Sequence, residues 1–129
     1  MPYLTDPIGD LLTRLRNAQA ARRQTCTAPW SRIKQELMEL LKKEGFIESV
    51  EVTGDAPKQE ITITFVPGRA ALTLKRVSKP GRRLYTQKKN LKPVLQGFGI
   101  AVLSTSLGLL TDREAKIRNV GGEYLCTVS

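Results

Sequence analysis

The sequence predicts an α+β fold made of two small packed halves. Three observations favour it: helix and strand patterns alternate along residues 1–66, strand patterns dominate residues 67–129, and the two parts differ in charge. A chain of 129 residues suffices for one ordinary domain or two very small ones. We therefore expect an N-terminal half, 1–66, of two helices on a small sheet, and a C-terminal half, 67–129, of mostly antiparallel strands with a short helix.

The first half contains two predicted helices. Asp6 as N-cap and Pro7 at the first helical position begin the first, while Ser31 caps the second and Gly45 ends it. Apolar residues recur at helical spacing in both. They are Ile8, Leu11, Leu12, Leu15 and Ala18 in the first helix, and Ile33, Leu37, Leu40 and Leu41 in the second.

Three strands complete the first half. A weak alternation over 25–28 predicts the first, and Ile47 begins the second, which extends to position 52. In the third, Ile61, Ile63 and Phe65 alternate with threonines, which is typical of a half-buried strand.

The second half contains four predicted strands and a short helix. The strands lie around 72–77, 84–86, 100–104 and 123–128, with a Pro-Gly turn at 80–81 and one helical turn at 91–95. Thr111 and Glu114 form a T-x-x-E capping box that begins the short helix, and Gly121-Gly122 ends that segment.

Composition excludes several classes of protein. The chain has no His, which removes Ser-His-Asp and Cys-His catalysis and most zinc sites. Cys26 and Cys126 are too far apart for a CxxC motif, and we expect both to be buried free thiols. The uncharged run 93–111 contains Pro, Gly and hydroxyl residues, so we expect no membrane helix. No catalytic residue, metal site or cofactor is predicted.

The positive charge is concentrated in the second half. Residues 1–66 hold nine Lys and Arg against nine Asp and Glu, whereas 67–129 hold twelve against three. Such a separation produces a directed field that attracts a polyanion. Nucleic acid is the favoured polyanion. An anionic membrane surface is the rival, although it favours charges on an amphipathic helix.

A basic hairpin forms the first candidate contact surface. Arg82, Arg83, Lys88 and Lys89 surround Tyr85, so that cations which pair with phosphates flank a ring that stacks on a base or sugar. The alternative is a solvated hairpin whose tyrosine is half-buried.

Two further segments are candidate contacts. Ser104, Thr105 and Ser106 follow a buried strand and precede Gly108, and hydroxyls are common partners of phosphates, sugars and base edges. The paired glycines at 121–122 suggest close backbone approach. The alternative for each segment is an ordinary turn.

Several motifs occur in the order found in one known family. They are Thr5-Asp6-Pro7-Ile8 with Leu12 to Ala18, Lys43 to Ile47, Arg76 to Arg83 with Tyr85, Gly97 to Ser106 with Gly108, Thr111 to Ala115, and Gly121-Gly122-Glu123. Through these motifs the chain resembles the bacterial small-subunit ribosomal protein eight family over essentially its whole length.

The resemblance implies a primary rRNA-binding protein without enzymatic activity. It would bind a stem in the central domain of 16S rRNA and help to assemble the platform of the small ribosomal subunit, in the cytoplasm. Ribosomal proteins five and twelve would be its neighbours. The alternative is an extraribosomal repressor that binds the mRNA of its own operon, as some family members do.

The resemblance also implies which residues contact RNA. They are the Ser104-Thr105-Ser106 turn, Tyr85 and the segment Gly121-Gly122-Glu123, with a second contact in the loop before the second helix, at Ser31, Arg32 and Lys34. Glu123 is unusual, because a carboxylate near RNA is costly unless it accepts from a base amino group or orients a cation. Position 107 is often polar or basic in the family, and here it is Leu107.

Overall fold

The computed structural model describes residues 6–78, 83–86 and 99–129. Contacts divide the chain into two compact units. The N-terminal unit is Asp10–Leu72, and the C-terminal unit joins residues 6–9 to the described part of Thr73–Ser129. The division falls inside the first helix, after its third residue. The halves predicted from charge, 1–66 and 67–129, stay a prediction.

The N-terminal unit has the predicted order of helices and strands. α1 spans Pro7–Ala20 and is followed by β1 (Thr25–Pro29), α2 (Arg32–Lys43), β2 (Ile47–Thr53) and β3 (Glu60–Phe65). The strands form an antiparallel sheet in the order β1-β3-β2. The predicted small sheet with two helices is therefore confirmed.

The predicted ends of these helices are confirmed as well. The Asp6 carboxylate accepts a hydrogen bond from the backbone N–H of Gly9 at 3.1 Å, as an N-cap does. The Ser31 hydroxyl accepts from the N–H of Lys34 at 3.3 Å. Gly45 follows α2 with a φ of +84°, the left-handed region that glycine adopts without strain.

The buried face of α2 differs from the predicted stripe. Ile33 is only half-buried, whereas Met38 and Lys34 are buried. Lys34 is tolerated there because its ammonium group donates to the Pro29 carbonyl at 3.0 Å. The apolar stripe of α1, from Ile8 to Ala18, is buried as predicted.

The C-terminal unit is built on five antiparallel strands. They are β4 (Leu74–Arg76), β5 (Tyr85–Thr86), β6 (Ile100–Thr105), β7 (Gly108–Thr111) and β8 (Gly122–Val128). β8 is central, with β6 on one side and both β4 and β5 on the other, and β7 extends the sheet beyond β6. The predicted antiparallel sheet with a short helix is confirmed, although β7 was not predicted as a strand.

The short helix α3 spans Asp112–Arg118. Its predicted start is confirmed, because the Thr111 hydroxyl accepts from the N–H of Glu114 at 3.2 Å. Its predicted end is wrong. Asn119 adopts a left-handed conformation with a φ of +63° and ends the helix, which leaves Gly122 to begin β8. Asn tolerates this conformation better than most residues.

α3 covers one face of the C-terminal sheet. Ala101, Leu103 and Ala115 form a buried cluster, against which Leu110, Val120 and Tyr124 pack. Since side chains alternate between faces along a strand, Val102 and Ser104 lie on the opposite face.

Two buried groups and one ion pair complete the fold. Cys26 and Cys126 are buried free thiols, as predicted. Arg76 pairs with Asp6 within the C-terminal unit at 3.1 Å and also donates to the Leu125 carbonyl.

The turn predicted at 80–81 and the helical turn predicted at 91–95 lie outside the described residues.

Candidate nucleic-acid interface

Three candidate residues lie in one row across the C-terminal sheet. Tyr85 on β5 is opposite Glu123 on β8, and Glu123 is opposite Ser104 on β6. Directly opposed residues of antiparallel strands project from the same face. The row therefore lies on the face away from α3, because Leu103 and Tyr124, the adjacent pair, pack toward that helix. We call Tyr85, Glu123 and Ser104, with Arg83, the polar row.

Arg83 is held by Glu123. Its Nη1 donates to Glu123 Oε2 at 2.8 Å, and the Arg83 side chain is 48% exposed while that of Glu123 is 15% exposed. The hydrogen bond and the negative charge of Glu123 raise the pKa of Arg83 above its ordinary value. Glu123 thus orients a cation, which is one of the two roles expected for it.

Tyr85 supplies the aromatic ring of the polar row. It is 72% exposed, so the ring is available for stacking. The half-buried tyrosine of the solvated-hairpin alternative is not what the structure shows. Tyr85 follows Leu84, whose carbonyl accepts from the N–H of Tyr124 at 2.8 Å, so the backbone immediately before β5 is fixed to β8.

Ser78 fixes the start of β5 and was not anticipated from the sequence. Its buried hydroxyl accepts from the N–H of Leu84 at 2.7 Å and donates to the carbonyl of the same residue at 3.0 Å. The N–H of Ser78 in turn donates to Tyr124 at 3.0 Å. A lone serine in a basic segment gives no sequence signal for this double contact. The hairpin predicted for this segment is also wrong, because β4 and β5 both pair antiparallel with β8 and therefore do not pair with each other.

The hydroxyl segment forms the end of the β6–β7 hairpin. Thr105 pairs with Gly108, and Ser106 and Leu107 form the exposed two-residue turn between them. The Thr105 hydroxyl is engaged in the hairpin, since it donates to the Gly108 carbonyl at 2.8 Å and accepts from the N–H of Leu107 at 3.1 Å. No hydrogen bond to another described residue engages the Ser104 or Ser106 hydroxyl, so these two are the groups available to a ligand.

Gly108 and Gly122 occupy two positions of the C-terminal sheet that do not suit a residue with a side chain. Gly108 has a φ of +103°, in the region that favours glycine. Gly122 has no room for a side chain, because a Cβ there would overlap the carbonyl oxygen of Ser104 and lie 3.1 Å from Thr105 Cγ2. The close approach suggested by the paired glycines is therefore an approach of β8 to the hydroxyl segment. Gly121 precedes it and is half-buried.

Leu107 stands 57% exposed in the hairpin turn. An apolar side chain at this site offers van der Waals contact in place of a hydrogen bond or charge. Its neighbour Ser106 is also exposed, so the turn still presents one hydroxyl.

The remaining predicted contacts are placed elsewhere or lie outside the described part. Arg82, Lys88 and Lys89 fall at 79–82 and 87–98, which the structure does not describe. Ser31, Arg32 and Lys34 belong to the N-terminal unit. The Lys34 ammonium is buried against Pro29, and Arg32 Nε is 3.0 Å from Glu36 Oε1, so Ser31 and an ion-paired, exposed Arg32 are the accessible groups there.

The chemistry available at the polar row is that of recognition. Hydroxyls accept and donate, an exposed ring stacks, and an oriented guanidinium donates to phosphates or base edges. Within the described residues, no group of three or more His, Cys, Asp or Glu side chains could hold a metal ion. Nor is any helix in that part of the chain long and apolar enough to cross a membrane.

By its sequence the chain is a ribosomal protein. It belongs to the ribosomal protein S8 family, whose match spans residues 6–129. The small ribosomal subunit protein uS8 of Lactobacillus delbrueckii subsp. bulgaricus (strain ATCC BAA-365 / Lb-18) is 51% identical over an alignment 129 residues long. The alignment covers 97% of this chain and 98% of that protein.

The family confirms the resemblance inferred from the motifs. It is a family of non-enzymatic structural proteins of the small ribosomal subunit, so the predictions of a small-subunit ribosomal protein and of no enzymatic activity are confirmed. The RNA segment and the contact residues stay predictions.

Proposed function

We propose that this chain is a primary rRNA-binding protein that binds a stem in the central domain of 16S rRNA and helps to assemble the platform of the small subunit. The observation that carries this proposal is the polar row, in which Tyr85, Glu123 and Ser104 align across three strands with Arg83 fixed beside them. Ribosomal proteins five and twelve are the proposed neighbours.

The polar row suits the groove that an RNA stem exposes. A-form RNA hides its major groove and displays 2′-hydroxyls and base edges in a wide, shallow minor groove. The short hydroxyls of Ser104 and Ser106 can reach such groups, and an irregular stem with an unstacked base would offer a partner to the ring of Tyr85. Arg83, together with Arg82, Lys88 and Lys89, would supply phosphate contacts that set the dependence of affinity on salt.

A binding titration tests the proposal. The full chain is titrated with a central-domain stem of 16S rRNA and with an unrelated stem of equal length at several salt concentrations. We expect much tighter binding to the first stem, with a slope of log affinity on log salt that corresponds to roughly four to eight phosphates. Equal affinity for both stems would reduce the chain to a generic polyanion binder.

Ser106→Ala tests the hydroxyl segment directly. We expect binding of the central-domain stem to weaken by ~1–3 kcal/mol, because a hydrogen-bonding partner on the RNA loses its contact. Ser49→Ala, which removes a hydroxyl from β2 in the N-terminal unit, is the control and should bind as the parent does. Unchanged affinity of Ser106→Ala, with an unchanged melting temperature, would contradict the assignment of this residue.

The same surface would bind an mRNA segment that presents the same stem. Repression of the chain's own operon is thus a second use of one site. It requires that an own-operon mRNA segment compete with the rRNA stem in the titration.

A further inference from the structure

β4 and β5 lie one after the other along the same edge of β8. Both pair antiparallel with β8, so they run in the same direction; β4 ends opposite Cys126 and β5 begins opposite Glu123. Ser78 and Leu84 meet at the residue between these two. The N–H of Ser78 donates to the Tyr124 carbonyl at 3.0 Å, and the N–H of Tyr124 donates to the Leu84 carbonyl at 2.8 Å. Tyr124 is therefore the point on β8 at which one edge strand gives way to the next.

β5 is too short to fix its own register. It consists of Tyr85 and Thr86, which pair with Glu123 and Gly122. Register is ordinarily set by the burial of one face or by the geometry of a hairpin turn, and a shift of one residue moves each side chain to the other face. Tyr85 is exposed, and β4 and β5 run in the same direction, so neither device acts here. A shift of one residue would carry the Tyr85 ring to the α3 side of the sheet, away from Ser104.

The side chain of Ser78 supplies the missing constraint. Its hydroxyl accepts from the N–H of Leu84 at 2.7 Å and donates to the carbonyl of the same residue at 3.0 Å. One hydroxyl thus holds both backbone groups of the residue directly before Tyr85. In a strand the N–H and C=O groups of one residue point to one side and those of the next residue point to the other, so fixing Leu84 also fixes the direction of Tyr85.

Ser78 is itself firmly held and has no access to a ligand. It is 0% exposed. Its N–H is bonded to Tyr124, and the N–H of Val77 before it donates to the Leu125 carbonyl at 2.9 Å. A hydroxyl donates and accepts at one atom, whereas alanine would leave the N–H of Leu84 without this partner. Any effect of Ser78 on binding must therefore be transmitted through Leu84 and its neighbours.

We propose that Ser78 is a positioning residue for RNA recognition, because its hydroxyl sets the register at which Tyr85 joins the polar row. The inference rests on the proposed function, since that function makes the polar row the surface that binds RNA. Arg83 directly precedes Leu84, so the same contact keeps its guanidinium within 2.8 Å of Glu123. Ser78 thus contributes to RNA affinity without touching RNA.

Titration with a central-domain stem of 16S rRNA tests this role. We expect Ser78→Ala to bind the stem roughly threefold to thirtyfold more weakly than the parent, because Tyr85 and Arg83 lose their fixed position. Thr111→Ala is the matched control, since it removes another buried hydroxyl of the C-terminal unit, one that caps α3. The control should bind within about twofold of the parent although it also loses stability. Equal losses in the two variants would overturn the proposal.

A double-mutant cycle separates positioning from general stability. Tyr85→Ala/Arg83→Gln removes the two side chains that Ser78 positions. In that background we expect Ser78→Ala to weaken binding by less than about twofold. The same loss in both backgrounds would show that Ser78 acts on the fold as a whole, and would contradict the proposal. All titrations are made below the lowest melting temperature of the set, so that unfolded protein does not contribute.

Hydrogen exchange provides a readout that needs no RNA. In Ser78→Ala we expect the N–H of Leu84 to exchange at least about tenfold faster than in the parent, whereas the N–H of Glu114, which is bonded to Thr111, keeps its rate. Equal acceleration at both sites, as in a variant that fails to fold, would indicate a loss of general stability and would count against the proposal.

Failure of the proposed function gives a different pattern. The parent would then bind central-domain and unrelated stems equally, or Tyr85→Ala/Arg83→Gln would bind as the parent does. A specific parent and a weakened Tyr85→Ala/Arg83→Gln variant, together with parent-like binding by Ser78→Ala, would overturn this inference alone.

Discussion

Glu123 shows how a carboxylate can belong to a surface that is proposed to bind a polyanion. Its charge is directed at Arg83 at 2.8 Å, so the pair presents guanidinium N–H groups and little net negative charge. Lys34 shows the reverse case, a cation taken out of the surface by its bond to the Pro29 carbonyl. The role of each residue is set by the partner it contacts, and the residue type alone does not specify that partner.

Gly122→Ala should destabilise the C-terminal unit. The added Cβ would overlap the Ser104 carbonyl oxygen, and because that atom is backbone it can move only by separating β6 from β8. We expect a loss of roughly 1–3 kcal/mol in the free energy of unfolding, measured by denaturant titration. Thr127→Ala on the same strand is the control, with an expected change below about 1 kcal/mol. A variant as stable as the parent would contradict the close approach described above.

Asp6 should make stability depend on pH in the acid range. Burial acts to raise the pKa of this carboxyl, but hydrogen bonds from Arg76 and from the N–H of Gly9, with the charge of Arg76, lower it overall. A carboxyl whose pKa is lower in the folded state stabilises the protein above its unfolded pKa, near 4, and loses that contribution as pH falls through the folded value.

Asp6→Asn isolates this contribution. Asn remains a good N-cap for α1 but carries no charge for Arg76. We expect the melting temperature of the parent to exceed that of the variant at pH 6, and the gap to close as the pH is lowered from about 4 toward 2. A gap that is constant with pH would contradict a role for the Asp6 charge.

At the scale of single elements, α3 depends on its first residue. It has seven residues, too few to be stable alone, and the Thr111 hydroxyl satisfies the N–H of Glu114. Thr111→Ala should cost about 1–2 kcal/mol in the free energy of unfolding. Thr111→Ser, which keeps the hydroxyl, should recover most of that loss in the same denaturant titration, whereas equal losses in both variants would assign the effect to the lost methyl group.

Helices were predicted more completely than strands and contacts because their signals are local. The caps at Asp6, Ser31 and Thr111 act within three residues, so a short stretch of sequence contains both partners. β7 was missed because a strand of four residues beside a hydroxyl turn has too little alternation to detect. Asn119 was missed because the glycines that follow are stronger stop signals.

The candidate site was predicted residue by residue, and its arrangement was not. Tyr85, Ser104 and Glu123 are brought together by strand register, which pairs residues up to 38 positions apart. The Arg83–Glu123 contact spans 40 positions and the Arg76–Asp6 contact spans 70. Residue types and motifs predicted the candidate residues, but the pairing of β5 and β6 with β8 decides which of them meet.

At the scale of the whole molecule, each unit contains one buried thiol. Cys26 lies in the N-terminal unit and Cys126 in the C-terminal unit, where burial raises its pKa to about 12. At pH 8 we expect both to react with a thiol reagent on the order of 100-fold more slowly than in the unfolded chain, because reaction requires opening of the surrounding unit.

Mass spectrometry of the labelled cysteines would measure the two openings separately. Low denaturant should raise the two labelling rates by different factors if the units open independently. Gly122→Ala should then accelerate labelling of Cys126 far more than that of Cys26. Identical rates at both cysteines under all conditions would instead indicate a single cooperative transition of the whole chain.

The central position of β8 has a consequence for synthesis. A nascent chain that has grown only to position 121 holds β4 and β5 without the strand that pairs with them, and β6 and β7 as an isolated hairpin, which is marginal by itself. Gly122 and Glu123 are also missing from such a chain. The polar row can therefore form only after β8 has left the translating ribosome, so an abandoned fragment would lack the surface that is proposed to bind RNA.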